Sequence, residues 1–308
     1  MTDDLPVLRI EDLHTSFPQT EGTTRAVEGA SFDVFRGRTV GVVGESGCGK
    51  TVTAKSILRL VEPPGRTTSG KVLLQASYVQ GNGYADGEAV DLLDLKPDSK
   101  EMNAIRGEVI SLIFQEPMAS LSLVHTVGNQ ITEAIRLHRR FTPKQARSLA
   151  VEKLRKVGMP DPESIIDRYP FELSGGLRQR VMIAMALSCD PEILIADEPT
   201  TALDVTTQAQ ILRLLKELQQ RLQMAVILIT HDMGVIAEMA DDVVVMYLGY
   251  VVERSPVRPL FAEPLHPYTA ALLHSIPSVR AEPRTKMPTI SGSIPHPFNK
   301  PRGCPFHP

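Results

Sequence analysis

A glycine-rich octapeptide from Gly44 to Thr51 leaves few folds open to this chain. It fits the pattern G-x-x-x-x-G-K-[ST], follows an apolar strand-like run at Arg38–Gly44 and opens a helical segment at Thr51–Leu60. Backbone N–H groups, a helix N-terminus, the Lys50 ammonium and a hydroxyl ligand for Mg²⁺ then converge, as in a phosphate-binding loop. The residues predicted to contact phosphate or its metal are Gly44, Ser46, Gly47, Cys48, Gly49, Lys50 and Thr51.

Three further apolar runs predict that this loop belongs to a mostly parallel sheet. Each run has the length of a strand and no polar alternation, which suits strands covered on both faces. A helical repeat of apolar residues over Val205–Gln223 separates two of them. Strands and helices in alternation predict a doubly wound α/β fold. The runs are Glu192–Asp197, Ala225–Thr230 and Val243–Tyr247.

Changes in composition predict the domain boundaries. Residues 117–171 are rich in helix formers, with helices expected at Ile131–His138 and Lys144–Val157, and are interpreted as a helical subdomain within a core of residues 1–255. Twelve of the 24 prolines fall in residues 256–308, so we expect an irregular C-terminal extension there, with one helix at about Tyr268–Ser275. The glycines between Ala76 and Ala89 indicate a turn or loop.

The charge balance and the cysteine count exclude several classes of protein. Lys and Arg number 33 against 36 Asp and Glu, a net charge of −3, so no basic footprint for nucleic acid is present. The N-terminus is acidic, unlike a signal peptide, and the apolar runs are far shorter than the ~20 residues of a membrane-spanning helix. Three scattered cysteines do not make a disulfide framework. We therefore expect a cytoplasmic protein that does not itself cross a membrane.

Two adjacent carboxylates lie at the end of the predicted strand Glu192–Asp197. In doubly wound sheets, ligands bind at the carboxyl ends of the strands, which is where Asp197 and Glu198 fall. Asp197 is predicted to hold Mg²⁺, directly or through water, and Glu198 to accept the proton of an attacking water, because phosphoryl transfer needs a positioned base beside the metal. A solvated strand end is the alternative interpretation when such a pair stands alone.

A second candidate phosphate site precedes a helix that is expected to run to about Ser188. Ser174, Gly175 and Gly176 lie at its positively polarised N-terminus, where a hydroxyl and backbone amides can bind an anion. In isolation, a helix cap made of Ser and flexible glycines would explain the same residues. A second candidate phosphate site distinguishes this chain from other proteins that have a phosphate-binding loop.

The ordered motifs over residues 7–255 resemble the nucleotide-binding subunits of ABC transporters. The resemblance implies a P-loop NTPase core with a mostly parallel sheet, an antiparallel β subdomain and a helical insertion, with ATP and Mg²⁺ as cofactors. It also implies that two cassettes close head to tail. Ser174, Gly175 and Gly176 of one cassette would then cover the γ-phosphate that the other cassette's loop holds.

The same resemblance implies roles for four further residues. Gln115 matches the Q-loop glutamine, a catalytic residue that also contacts the metal, and Asp204 matches the D-loop at the nucleotide. His231, directly after the Ala225–Thr230 run, matches the catalytic switch histidine. Phe17 matches by position the aromatic residue that stacks on adenine, with a core position as the alternative.

Features outside these motifs resemble the dipeptide and oligopeptide permease ATPases. Leu173–Gly176 matches the LSGG signature motif of the family, and Leu177 replaces the usual Gln after it, as is common in that subfamily. His266–Leu273 is similar to the subfamily's HPYT-x-x-LL segment. Gly303–Phe306 resembles the start of a cysteine-bearing motif that completes an iron–sulfur cluster in some members. Four ligands are needed and only Cys304 matches, so we expect no complete cluster from this sequence.

The resemblance predicts an ATP-hydrolysing subunit that powers an importer, most simply for dipeptides and oligopeptides. It implies a second, related but non-identical ATPase subunit, two transmembrane permease subunits and an extracytoplasmic solute-binding protein, with this chain peripheral on the cytoplasmic face of the cell membrane. A transporter of sugars or metals and a standalone exporter ATPase stay open. A GTPase is disfavoured because Asn299–Arg302, the segment nearest to an NKxD motif, lacks the Asp that reads the base. A chromosome-maintenance ATPase is disfavoured because only 59 positions separate Gln115 from Ser174, too few for its long coiled-coil insertion.

Overall fold

Ten strands form two sheets in the part of the chain that the structure describes. The computed structural model describes residues 5–75, 88–115, 120–201, 203–276, 295, 300–301 and 303–306. The strands are β1 Leu8–Gln19, β2 Gly22–Val34, β3 Thr39–Val43, β4 Arg66–Gln75, β5 Ala89–Asp91, β6 Ile110–Ile113, β7 Ile193–Asp197, β8 Ala225–Thr230, β9 Asp242–Tyr247 and β10 Tyr250–Pro256.

The larger sheet has the spatial order β10, β9, β3, β8, β7, β6. Neighbours from β9 to β6 pair in parallel, and β10 pairs antiparallel with β9 at one edge. Strands β3, β7 and β8 are buried at every residue, which explains their unbroken apolar sequences. This confirms the predicted α/β class, whereas β6 and β10 were not recognised in the sequence.

The smaller sheet is antiparallel, in the order β2, β1, β4, β5. Apolar side chains alternate along β1, where Leu8 and Ile10 are buried and Arg9 between them is exposed. These residues share one hydrophobic core with α1 and with one face of the larger sheet. The predicted loop between Ala76 and Ala89 falls mostly on residues 76–87, outside the described residues.

Helices cover the larger sheet and form the insertion. They are α1 Lys50–Ile57, α2 Lys100–Glu108, α3 Val127–His138, α4 Pro143–Lys156, α5 Pro162–Ile165, α6 Gly175–Ala186, α7 Val205–Leu222, α8 Met233–Met239, α9 Val257–Ala262 and α10 Pro267–His274. The insertion helix expected from Ile131 begins four residues earlier, because Thr126 caps it by accepting the Asn129 N–H. The α1 helix ends at Ile57, before the expected Leu60, because Arg59 adopts a positive φ of 56°.

The C-terminal region packs on the edge of the larger sheet. Tyr268 on α10 is fully buried in a core that it shares with Tyr247 of β9 and Leu260 of α9. Phe306 returns to this core and packs edge-on against Tyr247 and Tyr268. Among the residues that the structure describes, no helix combines the length and the apolar character that a membrane span requires.

Candidate functional site

The loop between β3 and α1 lies tightly against two neighbouring strands. Gly49 has φ 105°, and a Cβ on it would lie 2.2 Å from the carbonyl oxygen of Ala26 on β2. A Cβ on Gly44 would lie 2.2 Å from the carbonyl oxygen of Met246 on β9. Side chains at these two positions would force the loop away from the sheets. Glycine is therefore required here to give the loop its course.

Lys50 folds back over its own loop. The side chain is buried, and Nζ donates to the carbonyl oxygens of Gly44 at 2.7 Å and Glu45 at 2.9 Å. Nζ also lies 3.8 Å from the thiol of Cys48. The N-cap residue of α1 is Gly49, which has no side chain to accept the first-turn amides, so these amides keep their capacity to bind an anion. Cation and amides together have the chemistry that phosphate binding requires.

Asp197 ends β7 beside this loop and is buried. Its Oδ1 accepts no hydrogen bond from any residue in the described ranges. Burial raises the pKa of Asp197, and the charge of Glu198 raises it further, whereas a hydrogen bond with Thr51 acts in the opposite direction. A buried carboxylate oxygen that has no donor is suited to a cation.

Glu198 is the centre of a cluster of polar side chains. Gln115 Nε2 donates to Oε2 at 3.0 Å and the Thr201 hydroxyl donates to the same oxygen at 2.9 Å, while Nδ1 of His231 lies 3.2 Å from Oε1. Burial acts to raise the pKa of Glu198, but the hydrogen bonds with His231 and Thr201 outweigh it, so the pKa is lowered. The group is therefore an ionised carboxylate at neutral pH, able to accept a proton.

Strand order explains why these residues meet. Gln115 follows β6, Glu198 follows β7 and His231 follows β8, and these strands are parallel neighbours in the sheet. Their carboxyl ends therefore lie side by side at one edge. Glu198 adopts φ 46°, an uncommon conformation for a residue with a Cβ, and its N–H donates to Ile229 O at 2.9 Å. Such a conformation is more frequent at functional sites than elsewhere.

The predicted second phosphate site lies at the start of α6. Ser174 is exposed and its Oγ accepts the Leu177 N–H at 3.4 Å as the helix cap. Ser174 has no hydrogen bond to the β3–α1 loop or to Glu198 among the described residues. Asp204 caps α7 close by, since a Cβ on Gly176 would lie 2.7 Å from Cγ2 of Thr207 in the first turn of that helix. Within the described part of the chain, Ser174 is therefore not hydrogen-bonded to the Glu198 cluster.

Phe17 lies near the end of β1 and is half-buried. Its ring covers the backbone at Gly65, where an added Cβ would come within 2.3 Å of Cε1. The stacking of adenine on this ring stays a prediction.

Two contacts of the site were missed in the sequence analysis. The Thr201 hydroxyl donates to Glu198 directly, and the sequence pattern assigns no role to this residue. The hydroxyl of Tyr268 accepts the N–H of Glu45 in the phosphate loop at 3.0 Å. The sequence signal for Tyr268 is its position in the HPYT segment, but nothing in that segment indicates that Glu45 is its hydrogen-bond partner.

Comparison with protein families matches most of the chain. The model described as ABC transporter matches residues 27–201, and the one described as Oligopeptide/dipeptide transporter, C-terminal region, matches residues 252–308. A probable peptide ABC transporter ATP-binding protein of Sinorhizobium fredii is 48% identical over 301 residues, which are 97% of this chain and 85% of the relative. The dipeptide transport ATP-binding protein DppD of Bacillus subtilis is 47% identical with the same coverage.

Solved structures agree with this assignment. A dimeric bacterial ABC transporter cassette, MJ0796, aligns with TM-score 0.68 and 27% identity over 82% of this chain and 99% of that one. The same cassette in a post-hydrolysis state, bound to ADP and Pi, aligns with TM-score 0.68 and 26% identity over the same shares. The predicted family and its ATPase activity are thereby confirmed. The chain belongs to the ABC transporter family, as an ATP-binding and ATP-hydrolysing cassette that carries the C-terminal region of oligopeptide/dipeptide transporters.

Proposed function

We propose that Glu198 is the general base of ATP hydrolysis, with Gln115 and His231 as the catalytic residues beside it. The observation that carries this assignment is the convergence of Gln115, Thr201 and His231 on one lowered-pKa carboxylate. An ionised Glu198 can take the proton of an attacking water. The three neighbours hold the carboxylate oxygens of Glu198 in place, so the water that Glu198 activates is held in one orientation for its attack on the phosphate.

The loop from Gly44 to Thr51 binds the ATP phosphates in this proposal. Lys50 exchanges its two carbonyl partners, Gly44 and Glu45, for phosphate oxygens. The exchange is favourable because phosphate oxygens carry negative charge that attracts the ammonium, whereas the carbonyl oxygens are neutral. The remaining phosphate contacts come from Ser46, Gly47, Cys48 and Gly49.

Mg²⁺ fits the residues beside the loop. The unpartnered Oδ1 of buried Asp197 is a hard oxygen donor, and the Thr51 hydroxyl, hydrogen-bonded to Asp197, is another. We assign Asp197, Thr51 and Gln115 as the residues that would hold it. Bound there, the ion would neutralise charge on the phosphate oxygens. Asp197 itself contributes the charge that attracts the cation.

A partner cassette completes the site at Ser174, Gly175, Gly176 and Asp204. Ser174 is exposed and has no hydrogen bond to the chain's own Glu198 cluster among the described residues, which suits a ligand held by another molecule. The dimer formed by the related cassette supports this arrangement. We propose that the partner is a second ABC ATPase, homologous but non-identical, and that the pair closes head to tail around ATP.

The transport function that fits best is the import of dipeptides and oligopeptides. The observation that carries it is the C-terminal match over residues 252–308, supported by relatives whose names refer to peptide transport. In this proposal the cassette pair lies on the cytoplasmic face of the membrane. It drives two permease subunits, which receive peptide from an extracytoplasmic solute-binding protein.

An uptake assay tests this proposal. Cells with the complete transporter should accumulate a labelled dipeptide or oligopeptide with the wild-type chain and with Glu192→Gln, but not with Glu198→Gln. Mass spectrometry of the solute bound to the partner binding protein should identify peptides. A sugar or metal ion in that protein, or export that depends on Glu198, would favour the alternative transporters and contradict peptide import.

A further inference from the structure

A hydroxyl of the C-terminal region forms a hydrogen bond with the phosphate loop. Tyr268 Oη accepts the backbone N–H of Glu45 at 3.0 Å, although the two residues are 223 positions apart. Glu45 lies in the loop, whereas Tyr268 lies in the region that matches the Oligopeptide/dipeptide transporter C-terminal model. The contact therefore joins the general ATPase core to the part that distinguishes this subfamily.

Both backbone polar groups of Glu45, its carbonyl oxygen and its N–H, form hydrogen bonds. Its carbonyl oxygen accepts the Cys48 N–H at 3.3 Å and Lys50 Nζ at 2.9 Å. Its N–H is directed away from these groups to Tyr268. Removal of the hydroxyl would leave this N–H without its acceptor, so the first turn of the loop would become less ordered.

Tyr268 is itself rigidly placed. Glu253 on β10 accepts the N–H groups of Leu265 at 2.9 Å and His266 at 3.0 Å, which fixes the start of α10. His266 Nδ1 then accepts the Tyr268 N–H at 3.1 Å as the helix cap. These hydrogen bonds at the start of α10 fix the position of Tyr268 relative to the loop.

Aromatic packing fixes the ring as well. The ring of Tyr268 is fully buried, with its centroid 4.6 Å from that of Tyr247 and 5.5 Å from that of Phe306. Burial raises the pKa of Tyr268, so the hydroxyl stays neutral at physiological pH. A neutral, immobile acceptor orders a loop at little entropic cost, because its side chain has no freedom left to lose on binding.

We propose that Tyr268 is a positioning residue for the phosphate loop, through which the C-terminal region sets the nucleotide affinity of this cassette. The inference rests on the proposed role of the loop in binding phosphate. An ordered loop presents its amides to phosphate without a further ordering cost. Nucleotide affinity should therefore depend on the docking of the C-terminal region, although Tyr268 touches no nucleotide in this proposal.

Equilibrium binding of ADP to the full-length chain tests the proposal. Tyr268→Phe keeps the ring and removes only the hydroxyl, so we expect affinity to fall about three- to tenfold, the range for one neutral hydrogen bond. Tyr247→Phe is the matched control, because it removes a hydroxyl from the same aromatic cluster and no hydrogen bond to that hydroxyl occurs among the described residues. Its affinity should stay within twofold of the wild type.

Three results would overturn the proposal. They are an unchanged ADP affinity of Tyr268→Phe, an equal loss in both variants, and rapid hydrogen exchange of the Glu45 amide in the wild-type chain. The last measurement needs no variant, so it decides the matter even when Tyr268→Phe fails to fold. Lys50→Ala tests the phosphate-binding role of the loop separately from the positioning role of Tyr268. Retained ADP binding in Lys50→Ala contradicts the phosphate-loop assignment itself. Loss of binding there, with Tyr268→Phe unchanged, contradicts the positioning role alone.

Discussion

Lys50 Nζ lies 2.7 Å from the carbonyl oxygen of Gly44, so the cation of the phosphate loop is bound by the loop's own backbone. Lys50→Ala should weaken ATP binding by about ten- to 150-fold, the equivalent of ~1.5–3 kcal/mol for a hydrogen bond of a charged group. Binding isotherms with ATP check this. Lys144→Ala, at an exposed lysine of the helical insertion, is the control and should bind like the wild type. Undiminished ATPase activity of Lys50→Ala in the assembled transporter would remove the assignment.

Replacement of the proposed base should separate binding from hydrolysis. Glu198→Gln should retain ATP but hydrolyse it about 10²–10⁴-fold more slowly, because the amide cannot accept a proton. This corresponds to ~3–5 kcal/mol of barrier. Single-turnover hydrolysis in the assembled complex measures the effect. Glu192→Gln, which removes a carboxylate beside the start of the same strand, should keep full activity. Loss of nucleotide binding in Glu198→Gln would indicate a structural or metal-binding role instead.

The exposed Ser174 allows the two nucleotide sites to be told apart. Ser174→Arg should leave ATP binding at this chain's own loop nearly intact and disable hydrolysis at the site on its partner, because a bulky cation replaces a small donor. Both this change and Thr142→Arg remove a helix cap, at ~1 kcal/mol each, so Thr142→Arg controls for stability. Nucleotide occupancy and hydrolysis are measured for each site separately. Nucleotide loss only from this chain's own loop would contradict the head-to-tail arrangement.

Glu253 should make docking of the C-terminal region sensitive to acid. Burial acts to raise the pKa of Glu253, but the nearby Thr269 side chain and the hydrogen bonds from the Leu265 and His266 N–H groups outweigh it and lower the pKa. A lowered pKa means that its stabilising effect is present above the unfolded value of about 4.5 and is lost as the pH falls through the folded value.

Glu253→Gln should lower the free energy of unfolding by about 1–3 kcal/mol at pH 7, because the amide has only one acceptor oxygen and either the Leu265 or the His266 N–H loses its charged acceptor. The difference from the wild type should shrink below pH 4.5. Urea unfolding curves between pH 3.5 and 7 measure it. Glu263→Gln, at an exposed residue after α9, is the matched control with a pH-independent difference near zero. A constant difference at all pH values would show that the Glu253 charge is irrelevant to docking.

Local motifs of this protein could be predicted from the sequence because their chemistry lies in contiguous residues. The loop from Gly44 to Thr51, the pair Asp197 and Glu198 at a strand end, and the bounds of β8 need only spacing and apolar pattern. Four strands of the larger sheet are predicted by their unbroken apolar sequences. Nothing in that pattern orders β6, β7 and β8 as neighbours.

The tertiary structure alone decided which distant groups meet. Gln115, Glu198 and His231 converge because parallel pairing aligns three strand ends, and pairing partners depend on packing across the whole sheet. The contact between Tyr268 and Glu45 likewise spans 223 positions and arises because β10 and α10 pack on the edge of the sheet beside the loop. Sequence specifies local conformation and chemical type, whereas such long-range contacts depend on the free energy of burying many side chains together, which no single motif contains.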